Sequence, residues 1–355
     1  MSQVHASPHA LSSRTTSQIM GLVLLALTPA TLAGFWQFGW PAFLFWCVCI
    51  FSCVFFEALC LQWAGKRALP VLWDGSAVLT GWLMAMSMPP WAPWWVGVLG
   101  AACAIVLAKQ VFGGLGCNVF NPAMVGRTLL LVSFPVQMTL WISPQTAGHS
   151  VDLSQALSMI FGGNGVPDAM TSASLLGHVK TELSRGASLL EAAKVFVPWH
   201  SVAGARAGSL GETSALLILG GGLFLVAKRI IGLRIPVGFM LGLGLPALIG
   251  HAAAPDAFLP VSAHLLSGGA MLGAFFIATD YVTSPSAPAG QWVFALGCGV
   301  LTWLIRTWGG YPEGVGFAVL IMNALTPLLD MWRPRIFGRS FTGKSLPARR
   351  VESVR

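Results

Sequence analysis

Long apolar runs, parted by short polar connections, constrain this chain more than any other feature. Runs at 19–36, 42–63, 75–90, 94–112, 124–143, 213–231, 236–253, 262–280, 291–308 and 313–331 approach the ~20 apolar residues that cross a bilayer as a helix. Backbone polar groups in hydrocarbon must be satisfied within the segment, which makes helices the expected form. Charged residues are 9% of the 355, against about 25% in soluble domains. That is too few to clothe a water-soluble surface of this size. The sequence therefore predicts an all-α polytopic membrane protein with about ten transmembrane helices.

Charge placement orients the spans. Arg14 precedes the first run, Lys66 and Arg67 follow the second, and Arg127 borders the fourth-to-fifth connection. Lys228, Arg229 and Arg234 part the sixth from the seventh, and Arg333, Arg335, Arg339, Lys344, Arg349, Arg350 and Arg355 follow the tenth. An even number of spans separates these clusters, so the positive-inside rule places them on one face, with both termini cytoplasmic. Arg306 falls towards the other face and is the exception. The net charge of +8 thus reads as topology, not as nucleic-acid binding. A retained first span is expected rather than a cleaved signal peptide, because a long polar leader precedes it. Segment 145–212 is expected outside as a folded lobe. Trp91, Trp94 and Trp95 read as an interfacial belt on that side.

The two halves resemble each other. Ala92-Pro93 and the following Trp-rich, Gly-rich stretch recur at Ala287-Pro288, and both copies run to a Gly pair, Gly113-Gly114 and Gly309-Gly310. Each ends in an Asn near a Pro, Asn121-Pro122 and Asn323 with Pro327. About five spans per half forces opposite orientations. Inverted repeats of this kind build a central site where broken helices meet. Such an architecture also suits a small-solute transporter or channel, the rival reading.

Few residues are placed to carry chemistry. Glu57 lies within the second run, and Asp74 and Asp280 lie near span ends. Ionisable groups at membrane depth are costly and mark ion paths, so these three, with Asn121 and Asn323, are the ion-pathway candidates. Asp74 and Asp280 also read as caps or interfacial residues. The Cys residues at 47, 49, 53, 60, 103, 117 and 298 form no CxxC and read as apolar packers. No metal site is expected, and no catalytic residue is assigned. Arg127 reads as a partner for lipid more than for a bound phosphate. His200, beside Trp199, reads as a solvated loop residue.

Asp168-Ala169-Met170-Thr171-Ser172-Ala173-Ser174, in the outer lobe, resembles the flavin-attachment motif, whose last hydroxyl forms a phosphoester with FMN. Further stretches lie along the chain: Asp74-Gly75-Ser76-Ala77, Gly113-Gly114-Leu115-Gly116, Phe120 to Arg127, Gly211-Glu212-Thr213-Ser214, Ser267 to Met271 and Thr279-Asp280. Together, and in this order, they resemble the D subunit of the Rnf-type ion-translocating electron transport complex. They are more distantly similar to the B subunit of the sodium-translocating NADH:quinone reductase.

That resemblance implies a bacterial inner-membrane component of a redox-driven pump, moving Na⁺ or H⁺ as electrons pass between ferredoxin and NAD. It implies FMN held covalently on the outer lobe. The family uses Thr at the acceptor position; Ser174 offers the same hydroxyl without the methyl group. Asp168, Thr171, Ser172 and Ala173 complete the motif, Thr171 and Ser172 being the alternative acceptors. A second, non-covalent flavin (riboflavin or FMN) in the membrane part is also implied. The implied partners are cluster-binding, flavin-binding and membrane subunits of the complex, a flavin transferase for maturation, and lipid. The expected organisation is a cytoplasmic N-terminal segment (1–18), a first transmembrane repeat (19–144), a periplasmic flavin-carrying loop (145–212), a second repeat (213–332) and a basic cytoplasmic tail (333–355).

Overall fold

The computed structural model describes residues 14–142, 144, 151–162, 171–186, 188–189, 191, 207–212 and 214–331. Helix α1, Thr16–Trp63, opens on a capping box in which Thr15 and Gln18 satisfy each other's backbone N–H groups. It takes in both of the first two apolar runs. Gly39 has φ 70° and ψ −158° inside it, a conformation only glycine adopts freely. The chain doubles back there. Phe35 and Trp46 have ring centroids 5.5 Å apart, whereas eleven residues of straight helix rise about 16 Å. Trp82 touches both arms, donating to Thr31 Oγ1 at 2.8 Å and meeting the Trp46 ring at 4.7 Å.

A short α2, Ala68–Leu72, leads to α3, Ser76–Ser87, which lies along α1. Helix α4, Trp94–Ala102, continues as a wider π-helical turn, Cys103–Gln110. The expected span 124–143 is shorter than the apolar run suggests: α5 runs Pro122–Ser133, α6 runs Pro135–Thr139, and strand β1, Trp141–Ile142, follows. Pro135 explains the break, since the residue before a proline is pushed out of helical geometry, and Phe134 has φ −132° and ψ 61°.

Between the halves lie α7 (Leu153–Phe161), strand β2 (Thr171–Ser172) and α8 (Leu175–Ser184). The α7 helix buries Ala156 and Ile160 and packs on α1. A 3₁₀ turn, Leu210–Glu212, leads into α9 (Ala215–Ala227), capped by the Ser214 hydroxyl.

Helix α10, Arg234–Ala253, packs along α13, Pro288–Trp308. The expected span 262–280 is not one helix. It is α11 (Val261–Leu266), a break at Ser267-Gly268, then α12 (Ala270–Leu272) passing into a π-helical turn, Gly273–Ile277. Gly268 has φ +63°. The last described helix, α14, Val315–Asp330, packs against α13 and α5, and α1 packs on α9, so both contacts join the halves.

Among the described residues three helices, Thr16–Trp63, Arg234–Ala253 and Pro288–Trp308, are long and apolar enough to cross a membrane. Five shorter apolar helices flank them: Ser76–Ser87, Trp94–Gln110, Pro122–Ser133, Ala215–Ala227 and Val315–Asp330. The protein is a mostly helical, polytopic membrane protein. Of the expected Trp belt, Trp91 is instead buried, its ring N–H donating to the Phe38 carbonyl.

Candidate functional site

Ser174 is held from both sides. Upstream, β2 pairs antiparallel with β1, setting Trp141 opposite Ser172 and Ile142 opposite Thr171. Downstream, Ser174 is the N-cap of α8, with φ −61° and ψ 156°. Its Oγ accepts from the Gly177 N–H at 3.2 Å. The cap uses an oxygen lone pair, so the O–H bond stays available for substitution. Ser174 also lines a cavity of about 310 Å³ with Thr139, Trp141, Ala173, Gly177, Lys180 and Gly310. Small residues on three of those positions leave room beside the hydroxyl. Asp168, His200 and Trp199 lie outside the described residues.

Lys180 pins this helix to the rest of the protein. Its ammonium donates to the carbonyls of Gly309 and Tyr311 at 2.5 Å and of Ile305 at 3.2 Å. These close the C-terminal end of α13, where orphan carbonyls and the helix dipole favour a cation. Burial, and then the nearby Arg306 guanidinium, hold the Lys180 ammonium below the usual lysine range.

Behind Ser174 lies a buried ion network. Glu313, between α13 and α14, accepts from Arg127 Nη2 at 2.9 Å and Arg306 Nη2 at 3.0 Å. It also accepts from the Gly269 N–H at 2.6 Å. Arg306 further donates to the carbonyls of His264 and Ser267, fixing the break between α11 and α12. The pairing corrects two expectations. Arg127, expected among the cytoplasmic charges and as a lipid partner, is buried and shares the Glu313 carboxylate with Arg306, itself expected on the other face. Arg306 escapes the charge rule because it too is buried and paired. Glu212 adjoins the network, its Oε1 accepting from the Ser209 hydroxyl at 2.9 Å. Burial, and then the Glu313 carboxylate, push Glu212 up to about 8. Ser174, Glu212, Glu313 and Ser267 share one void of about 20 Å³.

A second polar centre gathers the ion-pathway candidates. Glu57, 1% exposed, pairs with Lys109 at 2.6 Å and accepts from Gln110 at 3.0 Å. The Lys109 ammonium also donates to Ser76 Oγ at 2.7 Å. Lys109 sits in the π-helical turn after α4, the kind of irregularity that recurs at functional sites. Sequence reasoning misses it, although a lysine inside an apolar run carries the same signal as Glu57. Lys109, Ser76, Asn118, Asn121, Thr279 and Asp280 line a cavity of about 90 Å³. Asp280 accepts from Thr283 Oγ1 and the Val282 N–H. Asp74 lies just before Gly75, the N-cap of α3, and accepts from the Ser76 N–H at 2.7 Å.

Asn121 and Asn323 meet. Asn121 caps α5 by accepting from the Met124 N–H, and its own N–H donates to Asn323 Oδ1 at 3.2 Å. Its amide donates to the Ile277 carbonyl, and the Asn323 amide donates to Thr283 O. The start of α5, the interior of α14, the π-helical turn and the loop before α13 thus share one hydrogen-bonded junction, and α14 runs unbroken through Asn323 and Pro327.

Comparison with known proteins agrees along the whole length. The family described as "NQR2, RnfD, RnfE family" matches residues 3–338. The D subunit of the ion-translocating oxidoreductase complex of Halorhodospira halophila is 44% identical over 350 residues, 98% of each chain. That of Stutzerimonas stutzeri is 47% identical over 340 residues, covering 94% of this chain and 95% of the relative. That of Rhodobacter capsulatus is 48% identical over 301 residues, 84% of each. On a family match spanning almost every residue and relatives alike from end to end, this chain belongs to the NQR2, RnfD, RnfE family.

Proposed function

We propose that this chain is the D subunit of an ion-translocating oxidoreductase complex and carries FMN as a phosphoester on Ser174, as one relay in electron transfer coupled to Na⁺ or H⁺ movement. The reading places the chain in the bacterial inner membrane, both termini cytoplasmic and segment 145–212 periplasmic. Relatives named as oxidoreductase subunits favour it over a solute transporter.

The observation that carries it is the setting of the Ser174 hydroxyl. Its oxygen caps α8 as an acceptor, and it borders a roomy cavity. A phosphoester there keeps that acceptor oxygen and adds anionic oxygens at a helix N-terminus, where N–H groups and the helix dipole favour them. Attachment replaces the Ser174 O–H by O–P: the oxygen attacks the phosphorus of FAD held by a flavin transferase, the diphosphate bond breaks, AMP leaves, and the proton passes to the transferase. Bound there, FMN supplies reversible electron transfer. The chain supplies position, through the β1–β2 pair and the Lys180 clamp, and the electrostatics of the ion network.

The Lys109–Glu57 centre is the ion path in this reading. Its cavity, at about 90 Å³, has room for several waters. A second, non-covalent flavin in the membrane part would need this cavity to widen.

Flavin fluorescence in a denaturing gel tests the attachment. The chain made with its flavin transferase should fluoresce, Ser174→Thr should match it, and Ser174→Ala should be dark. Fluorescence persisting in Ser174→Ala would reject Ser174 as the acceptor.

A further inference from the structure

We infer that Glu212 is a proton-exchanging group that compensates charge on whatever Ser174 carries, taking up a proton when that site gains electrons and releasing it when they leave. The inference rests on the flavin reading of Ser174.

The charge arrangement leads to it. Arg127 and Arg306 are fixed cations, since an arginine keeps its proton in proteins. Glu313 holds both and also the Gly269 N–H, so it is committed as a carboxylate. One positive charge is left over. Glu212 is the remaining carboxylate, and among the described residues it forms no ion pair with either arginine. Its hydrogen bond is to the neutral Ser209 hydroxyl. Ionised, it balances the network; protonated, it leaves the network cationic. The groups facing it are Arg127 from α5, Arg306 from α13 and Glu313 before α14. His264 and Lys180 stand behind Arg306.

Position supplies the second half. Glu212 and Ser174 line the same void, whose volume of about 20 Å³ suits a single water. Glu212 is half-buried, not sealed, so a proton from outside water can reach it. Electrons arriving at a flavin on Ser174 come from a one-electron carrier in a neighbouring chain of the complex. The added negative charge favours Glu212 in its neutral form, so the carboxylate takes one proton from water. Oxidation returns that proton.

The test is a spectroelectrochemical titration, in the assembled complex, of the flavin signal that Ser174→Ala abolishes, run across pH values around 8. Intact mass first establishes that the wild-type chain carries the flavin. The wild type should show a break in the pH dependence of the midpoint potential, and Glu212→Gln should lose it. Ser209→Ala, which removes the donor to the carboxylate, should move the break to higher pH and decides the matter if Glu212→Gln fails to assemble. A wild-type break retained in Glu212→Gln, or unmoved in Ser209→Ala, with flavin present by mass, overturns the role of Glu212 alone. An unmodified wild-type mass overturns the flavin reading and, with it, this inference.

Discussion

Glu313→Gln should be among the most damaging conservative substitutions in this chain. The wild-type carboxylate accepts three hydrogen bonds: from Arg127 at 2.9 Å, Arg306 at 3.0 Å and the Gly269 N–H at 2.6 Å. The arginines are 6% and 4% exposed, so solvent does little to screen them. A glutamine has one acceptor oxygen for three donors, and its NH₂ would face a second donor. Both arginines would then lose their paired carboxylate, leaving only Glu212, which forms no ion pair with either among the described residues. Removing one partner from a buried ion pair costs about 3–5 kcal/mol. At ~1.4 kcal/mol per factor of ten, that is roughly two to three and a half orders of magnitude in the folding equilibrium. Reversible unfolding in mixed detergent, followed by tryptophan fluorescence, measures it. A triple variant, Arg127→Leu with Arg306→Met and Glu313→Leu, should recover most of the loss, because apolar groups of similar volume replace buried ion networks at little cost. A Glu313→Gln cost under about 1 kcal/mol, the range of a surface pair, would refute the buried-network reasoning.

Lys109→Met should cost a similar ~3–5 kcal/mol by stranding Glu57, and Lys109→Met with Glu57→Leu should restore much of it, read by the same unfolding assay. Gly268→Ala should destabilise by at least ~1–2 kcal/mol, because φ is +63° and a Cβ would stand 2.5 Å from Glu313 Oε1 and 2.6 Å from Arg306 Nη2. Lys180→Met should free α8 from α13 at a cost of about 2 kcal/mol, seen as faster limited proteolysis at Arg185. Glu212 gives a pH signature in chain lacking flavin. Its carboxyl is raised from 4.5 to about 8 on folding. Burial of the neutral form is tolerated below pH 4.5, and the cost of holding the charge grows as pH rises through that window towards 8. Stability should fall across it, and Glu212→Gln should flatten the fall.

How much of this is legible in the sequence depends on the range of the interaction. Apolar runs are short-range signals, and they locate most helices. The Gly39 reversal is legible as a gap between two runs. Glu57 stands out because a carboxylate inside an apolar run needs a partner. The partner itself, Lys109, lies in a different apolar run, and nothing local to either residue links them. Arg127 and Glu313 are 186 positions apart, and no local pattern joins them, so the sequence points Arg127 towards lipid and leaves Arg306 an exception. The break inside 262–280 is hidden because Ser267-Gly268-Gly269 is mild in hydropathy; what breaks the helix is the cluster of charged groups packed against it. Ser174 is found by resemblance. That its hydroxyl caps a helix above an ion network requires the fold.

A flavin on the Ser174 oxygen is the central claim. Fragmentation mass spectrometry of the peptide spanning Asp168 to Lys180, from chain matured with its flavin transferase, tests it most directly. We predict an FMN phosphoester localised to Ser174, with Thr171 and Ser172 unmodified. A peptide bare at every hydroxyl, or carrying the flavin on Thr171 or Ser172, would contradict it.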